Sequence, residues 1–241
     1  PATPWFHPAA RGAGALNGLL VITLTSLKVA GVATLLMFPI GTALGYALAR
    51  KRFFGAKVLE ALLLLPMVVP PVAVGLLLLT VLSPNGPIGQ WAEHVGLQLV
   101  LTWQGAALAP FGVALPLYVP LALQAFSGIP RRFEQIALTL GKSPSVVFRR
   151  VTLPLAWRGL CHGLLLAFAR ALGEFGATVL VAGNIPGATE TLAVGIYDRI
   201  ITGREAEAWI LAAIAAALAM AAVVASQRLN AQPDRLREVA S

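Results

Sequence analysis

Three patterns in this chain could do chemistry. The run "EQIALTLGKSPSVVFRRVTLPLAWRG", from Glu134 to Gly159, contains Gly141, Lys142 and Ser143, the tail of a loop that cradles nucleotide phosphates. Arg170 and Glu174 lie four apart inside an apolar run, which makes them neighbours on one helix face. Such a pair could pack helices together, line or gate an ion path, or relay a proton through Glu174. His7, His94 and His162 are scattered, so no metal site is expected, and the single Cys161 has no partner for an intrachain disulfide.

The phosphate reading fails on spacing. A phosphate-binding loop needs G-x-x-x-x-G-K-[ST] after a buried strand. Its first glycine would stand where Ile136 is, and the preceding run is helical in pattern.

The elements that position these residues follow from composition. Of the 241 residues, 58% are hydrophobic and only 12% are charged, with mean hydropathy +0.80. Soluble domains are about one-quarter charged, so the deficit of charge marks a polytopic membrane protein. Five apolar runs reach the roughly 20 residues a crossing needs: Leu27 to Ala49, Val58 to Leu82, Gln104 to Phe126, Gly159 to Gly183, and Trp209 to Ser226. Lipid offers the backbone no partners, so the spans must be helical. Prolines in the second span (Pro66, Pro70, Pro71) and third span (Pro110, Pro116, Pro120) predict kinks or broken helices. Pro70 and Pro71 either break span two, opening backbone groups to a cavity, or simply kink it. Gly173, Gly176 and Gly183, with Ala169, Ala171 and Ala177, read as a close-packing face. No cleavable signal peptide is expected.

The net charge of +8 does not point to nucleic acid, because the charges sit in short loops between spans. Thirteen of the 18 basic residues lie in one set of loops: Arg50 to Lys57, Arg131 to Arg158, and Arg228 to Arg237. Only Arg11, Arg199 and Arg204 lie on the other side. This bias places the first set in the cytoplasm, the N-terminus outside and the C-terminus inside. Lys28, near the outer end of span one, either snorkels to the interface or draws anions to the outer mouth.

The stretch from Glu134 to Gly159 is then cytoplasmic, yet it carries Ala137, Leu138, Leu140, Val146, Val147, Phe148, Val151 and Leu153. Such a stripe does not belong in water. Arg131 to Leu140 reads as a short helix ended by Gly141. Ser143 is placed to cap a second helix with Pro144 at its first position, stopped before Pro154. Two short helices with an apolar face and a cationic rim make a docking element, with Val146, Val147 and Phe148 supplying the apolar contact.

Here the sequence resembles a known family. Gln135, Ile136, Ala137, then Gly141, then nine residues to Val151, with Leu153 and Pro154, resemble the EAA loop (E-A-A-x3-G-x9-I-x-L-P) of ABC importer permeases. The family's Glu is Gln135 here, with Glu134 one place earlier, so either could make the polar contact to an ATPase. The segment Ala169 to Tyr197, with "GEFGAT" and "NIPG", is similar to a segment of molybdate and sulfate/tungstate permeases, most like the molybdate branch.

The resemblance implies an all-α, type I ABC importer permease fold with about five transmembrane helices, homodimeric in the inner membrane. Residues 1–26 would be an external segment and entry helix. Residues 27–226 would form the permease domain, with the EAA and coupling loop at 127–158, and 227–241 a cytoplasmic tail. The helix Ser143 to Arg150 would be the coupling helix seated on a cytoplasmic ABC ATPase, present in two copies and holding ATP and Mg. This chain would carry no cofactor and no catalytic residue. A periplasmic oxyanion-binding protein would deliver molybdate, with sulfate or tungstate as alternatives. A self-contained secondary anion transporter would need internal symmetry, and no repeat is visible. A membrane enzyme would need a convergent set of nucleophile, base or metal ligands, which the spans lack.

Overall fold

The computed structural model describes residues 8–51 and 54–230, with side chains for 17–51 and 54–229. His7, Arg52, Arg235 and Arg237, and most of the tail from 227, lie outside the described residues. Within them every regular element is a helix. Helix α1 is Pro8–Arg50, α2 Ala56–Val68, α3 Pro71–Leu82, α4 Pro87–His94 and α5 Trp103–Ser127. Then come α6 Arg131–Thr139, α7 Pro144–Val147, a π-helical turn Phe148–Thr152 and α8 Leu153–Leu172. The series ends with α9 Gly176–Ala182, α10 Leu192–Ile201 and α11 Glu205–Asn230.

Four stretches are long and apolar enough to cross a bilayer: Asn17–Arg50, Trp103–Ser127, Pro144–Leu172 and Glu205–Leu229. The pair α2 and α3 makes a fifth as a broken span, bent by 113°. The break is local chemistry. A residue before proline is pushed out of the helical region, and Val69 and Pro70, each followed by proline, are both extended (ψ 138° and 135°). Span two is therefore broken, not merely kinked. Span three departs from expectation in the other direction. Pro110, Pro116 and Pro120 lie inside one uninterrupted α5. Each removes a single donor, and the packed neighbours hold the helix together.

Helix α5 is the axis of the fold, with Ala106, Ala109, Tyr118, Ala122 and Phe126 fully buried. Two G-x-x-x-G pairs bring its neighbours against it. Gly41 and Gly45 of α1 lie on Tyr118 and Ala122, and Gly159 and Gly163 of α8 lie on Ala125 and Leu121. Without side chains at these points the helices approach closely, which is how helices associate where lipid removes the hydrophobic drive. Thr42 and Tyr118 share a buried hydrogen bond of 2.8 Å at the same contact. Outward faces are apolar: Leu35 on α1, Val68 on α2, and Trp209 and Met220 on α11 are all well exposed. That surface suits lipid and helix partners rather than water.

Two other boundaries differ from the sequence reading. Helix α1 shows no break at residue 27; entry segment and span are one helix. Span four does not start at Gly159. It rises from the preceding loop itself, helical from Pro144 to Leu172, and stops at Gly173 before the short α9. Pro154 does not end the loop helix, because the π turn just before it inserts an extra residue where proline has no N–H to give.

The break after α8 abuts the break in span two. Gly176 lies against Pro71 and Val72, and Gly75 lies against Ala177. Gly176 and Ala177 thus pack as expected. Gly173 does not: it is exposed, and an added Cβ would meet only the Arg170 carbonyl, at 3.9 Å. Its place is the end of α8, not a helix contact.

Candidate functional site: the loop before span four and the paired helix breaks

The loop between α5 and α8 forms as its residues dictate. Helix α6 ends in a glycine reversal, with Gly141 at φ +75°. The Gly141 amide donates to the Leu138 carbonyl (3.0 Å) and the Lys142 amide to Ala137 (3.2 Å), a Schellman closure. These amides are the donors a phosphate would need, and both are engaged within the chain. Ser143 stands at the N-cap of α7 with Pro144 at its first turn, but its hydroxyl makes no cap bond and pairs with the Ser145 hydroxyl at 3.2 Å.

The apolar stripe divides into two sets. Val147 is buried, and Phe148 packs edge-on against Tyr46 at 4.8 Å between ring centroids. Leu153 also packs on the chain's own core, and Val151 is half-buried. So Val147 and Phe148, expected to supply a partner's contact, face inward instead. The reason is continuity: Phe148, Thr152, Ala156, Leu160, Gly163 and Ala167 recur at three- and four-residue spacing and continue the face that α8 turns to α5. Gln135, Ile136, Leu140, Lys142, Ser143 and Pro144 face outward, with Ala137 half-buried between the sets and Pro154 exposed farther along. Ile136 and Leu140 are large apolar side chains left exposed.

The geometry also separates the two candidate acceptors. Glu134 stays inside the chain: its Oε1 accepts from Arg50 Nε at 3.0 Å and from the Thr152 hydroxyl at 2.8 Å. Gln135 points out. Sequence reasoning named Glu134 but missed Arg50 and Thr152, its partners across 84 and 18 residues. No local pattern connects them.

At the helix breaks, Arg170 Nη1 pairs with Glu174 Oε2 at 2.8 Å. The expected neighbours do meet, although Glu174 lies past the end of α8. Its other oxygen, Oε1, accepts the Ala177 amide at 3.0 Å and so caps the first turn of α9. The Glu174 side chain is 2% exposed and that of Arg170 is 37% exposed. Glu174 is fully engaged; Arg170 keeps an open side.

On the face expected to be external, Lys28 Nζ lies 3.7 Å from the centre of the Trp103 ring at the start of α5, a cation–π contact. The segment after Gly183 is held from two sides. Ser26 Oγ accepts the Leu192 amide at 2.6 Å. Arg199 pairs with Glu190, and Asp198 and Glu207 lie near the same guanidinium. His162, which sequence left without a role, places Nδ1 3.0 Å from the Ser226 carbonyl and ties α8 to α11.

Comparison with known proteins places this geometry. The family described as "Binding-protein-dependent transport system inner membrane component" matches residues 39–233. The molybdenum transport system permease protein ModB of Escherichia coli (strain K12) is 41% identical over 208 residues, covering 86% of this chain and 91% of that one. ModB of Haemophilus influenzae is 39% identical over 207 residues, covering 85% and 90%. Among solved structures, a chain of a bacterial alginate ABC transporter, crystallised in complex with an alginate pentasaccharide-bound periplasmic protein, superimposes with a TM-score of 0.64 at 19% identity. That match covers 88% of this chain and 78% of the other.

Proposed function

The chain belongs to the binding-protein-dependent transport system inner membrane component family, and from that membership we propose that it carries molybdate inward as the permease of an ATP-driven importer. The substrate rests on the two ModB relatives, which match over about nine-tenths of their length. Sulfate and tungstate, tetrahedral dianions of similar size, are the alternatives. Two copies of the chain would enclose the path, which fits the broad apolar faces left exposed on α1, α2, α3 and α11. ATP and Mg would be held by a separate cytoplasmic ATPase pair, and a periplasmic binding protein would deliver the anion. The outward face of the loop, Gln135, Ile136, Leu140 and Pro144, would meet the ATPase, with Gly141 setting the angle between α6 and α7.

One experiment tests both transport and orientation. Permease, ATPase and binding protein are reconstituted in proteoliposomes, with ATP on the face bearing Ser145 and molybdate on the face bearing Ala188. Both positions are exposed and are marked by Ser145→Cys and Ala188→Cys in a Cys161→Ser background. ATP-dependent molybdate accumulation, with sulfate a weak competitor, is expected. Uptake that proceeds without ATP would refute the importer reading. Labelling of both cysteines from the same side would refute the orientation.

Within the path, Arg170 would face the anion while Glu174 holds it in place, because only Arg170 has an open side. Exchanging the two is a poor test, since arginine at 174 could not accept the Ala177 amide. Arg170→Gln is cleaner. Uptake should fall while the melting temperature of the purified permease stays near that of the unsubstituted protein. A parallel fall in both would reduce the pair to packing.

A further inference from the structure

A single carboxylate oxygen joins three elements at the cytoplasmic end of the bundle. Glu134 Oε1, in the first turn of α6, accepts from Arg50 Nε at the end of α1 and from the Thr152 hydroxyl in the π turn. The site is enclosed: the side chains of Arg50 and Glu134 are 9% and 15% exposed, and Thr152 is fully buried. Arg50 also donates through Nη2 to the Ile129 carbonyl at 3.1 Å. In return, Arg131 reaches the carbonyls of Ala49 and Arg50, each at 3.3 Å. One turn deeper, Tyr46 of α1 packs against Phe148. Polar and aromatic contacts therefore tie the same two parts together, the loop and the end of α1.

The far end of the same helix is tied as well. Ser26, buried on α1, accepts the Leu192 amide at the start of α10. Residues 26 to 50 belong to one helix that continues through Pro39, about 36 Å long at 1.5 Å per residue. The loop and the segment beyond Gly183 at the opposite face are thereby tied to the two ends of one helix. The π turn supplies the place where the loop can shift against α8, since such a turn holds one residue more than the α-helical ladder needs.

We infer that Glu134 is a positioning residue: through Arg50 and Thr152 it passes movement of the ATPase-docking loop to α1 and so couples ATP hydrolysis to opening at the far side. This rests on the importer reading above. Glu134 would not itself touch the ATPase, which distinguishes it from Gln135.

The test uses the complete complex in proteoliposomes and reads molybdate taken up per ATP hydrolysed, together with the amount of ATPase copurified. Glu134→Ala should leave the ATPase bound and lower the uptake-to-hydrolysis ratio by about tenfold, the size of a typical coupling free energy between linked sites. Glu134→Gln, which still accepts both hydrogen bonds, should recover part of that ratio. If Glu134→Ala does not accumulate, Thr152→Val decides. It removes one hydroxyl at constant shape, and the ratio should fall by about two- to fivefold. An unchanged ratio in the variant that accumulates overturns the inference. So does loss of the ATPase in proportion to lost uptake, which would make Glu134 a docking residue. No ATP-driven uptake by the unsubstituted complex would overturn the importer reading, and this inference with it.

Discussion

Leucine at position 45 leaves no properly folded permease to assay. A Cβ built on Gly45 would sit 2.7 Å from Ala122 Cβ, 2.9 Å from the Leu123 nitrogen and 3.0 Å from the Ala122 carbonyl carbon. Two of these three atoms are backbone of α5, which no rotamer change can move. The helices must separate, and α1 against α5 is the most extensive helix contact among the described residues. Separation also pulls Thr42 from Tyr118, leaving two buried hydroxyls unpaired. Overpacking a tight core costs about 1–3 kcal/mol or more, and each unsatisfied buried group adds about 1–3 kcal/mol. Together these approach the whole stability of a domain. Gly31→Leu is the control: the same helix, with nothing within 4 Å of an added Cβ. Size-exclusion chromatography and thermal melting in detergent decide. A monodisperse Gly45→Leu protein melting with the Gly31→Leu control would refute the close-packing argument.

Two substitutions in the loop between α5 and α8 should fail in opposite ways. Leu140 is 73% exposed at the end of α6. Leu140→Asp should therefore leave the melting temperature of the isolated permease unchanged while weakening its hold on the proposed ATPase partner. A central apolar anchor is worth about 2 kcal/mol or more, or roughly thirtyfold in affinity. Phe148 packs on Tyr46, with Phe126 beyond at 6.4 Å. Phe148→Ala should lower the stability of the permease alone by up to about 3 kcal/mol, as a partly buried truncation does. Copurified ATPase should fall only as far as the fold loosens. Melting curves of permease alone, set beside quantitative copurification, separate the two. If Phe148→Ala melts normally yet loses the ATPase, Phe148 is an interface residue after all, and the division of the stripe is wrong.

That division shows where the sequence could have been read further. The spacing of Phe148, Thr152, Ala156, Leu160 and Gly163 runs unbroken across Pro154. Treating Pro154 as a stop hid it, because proline normally ends a helix and a π turn leaves no compositional mark. Glu134 shows the opposite case. Arg50 lies 84 residues away, and nothing local says that Glu134 rather than Gln135 is the inward acceptor.

What the sequence alone determined is local or additive. The membrane class, the number of spans and the charge bias come from composition, which sums over residues without regard to their partners. An interruption at Pro70, whether kink or break, and the glycine reversal at Gly141 come from steric limits on one or two residues; the structure makes the first a break of 113°. Helical spacing predicts the meeting of Arg170 with Glu174, and the turn that closes α8, with the Glu174 amide on the Ala171 carbonyl at 3.2 Å, preserves it. Tertiary structure alone decided which apolar faces meet protein and which meet lipid. In a soluble helix a polar face marks the outside; in a span both faces are apolar, so hydropathy cannot tell Gly45 from Gly31. Shape complementarity across α1, α5 and α8 makes that choice. The same packing sends Phe148 inward, leaves Leu140 exposed and brings Glu134 to Arg50.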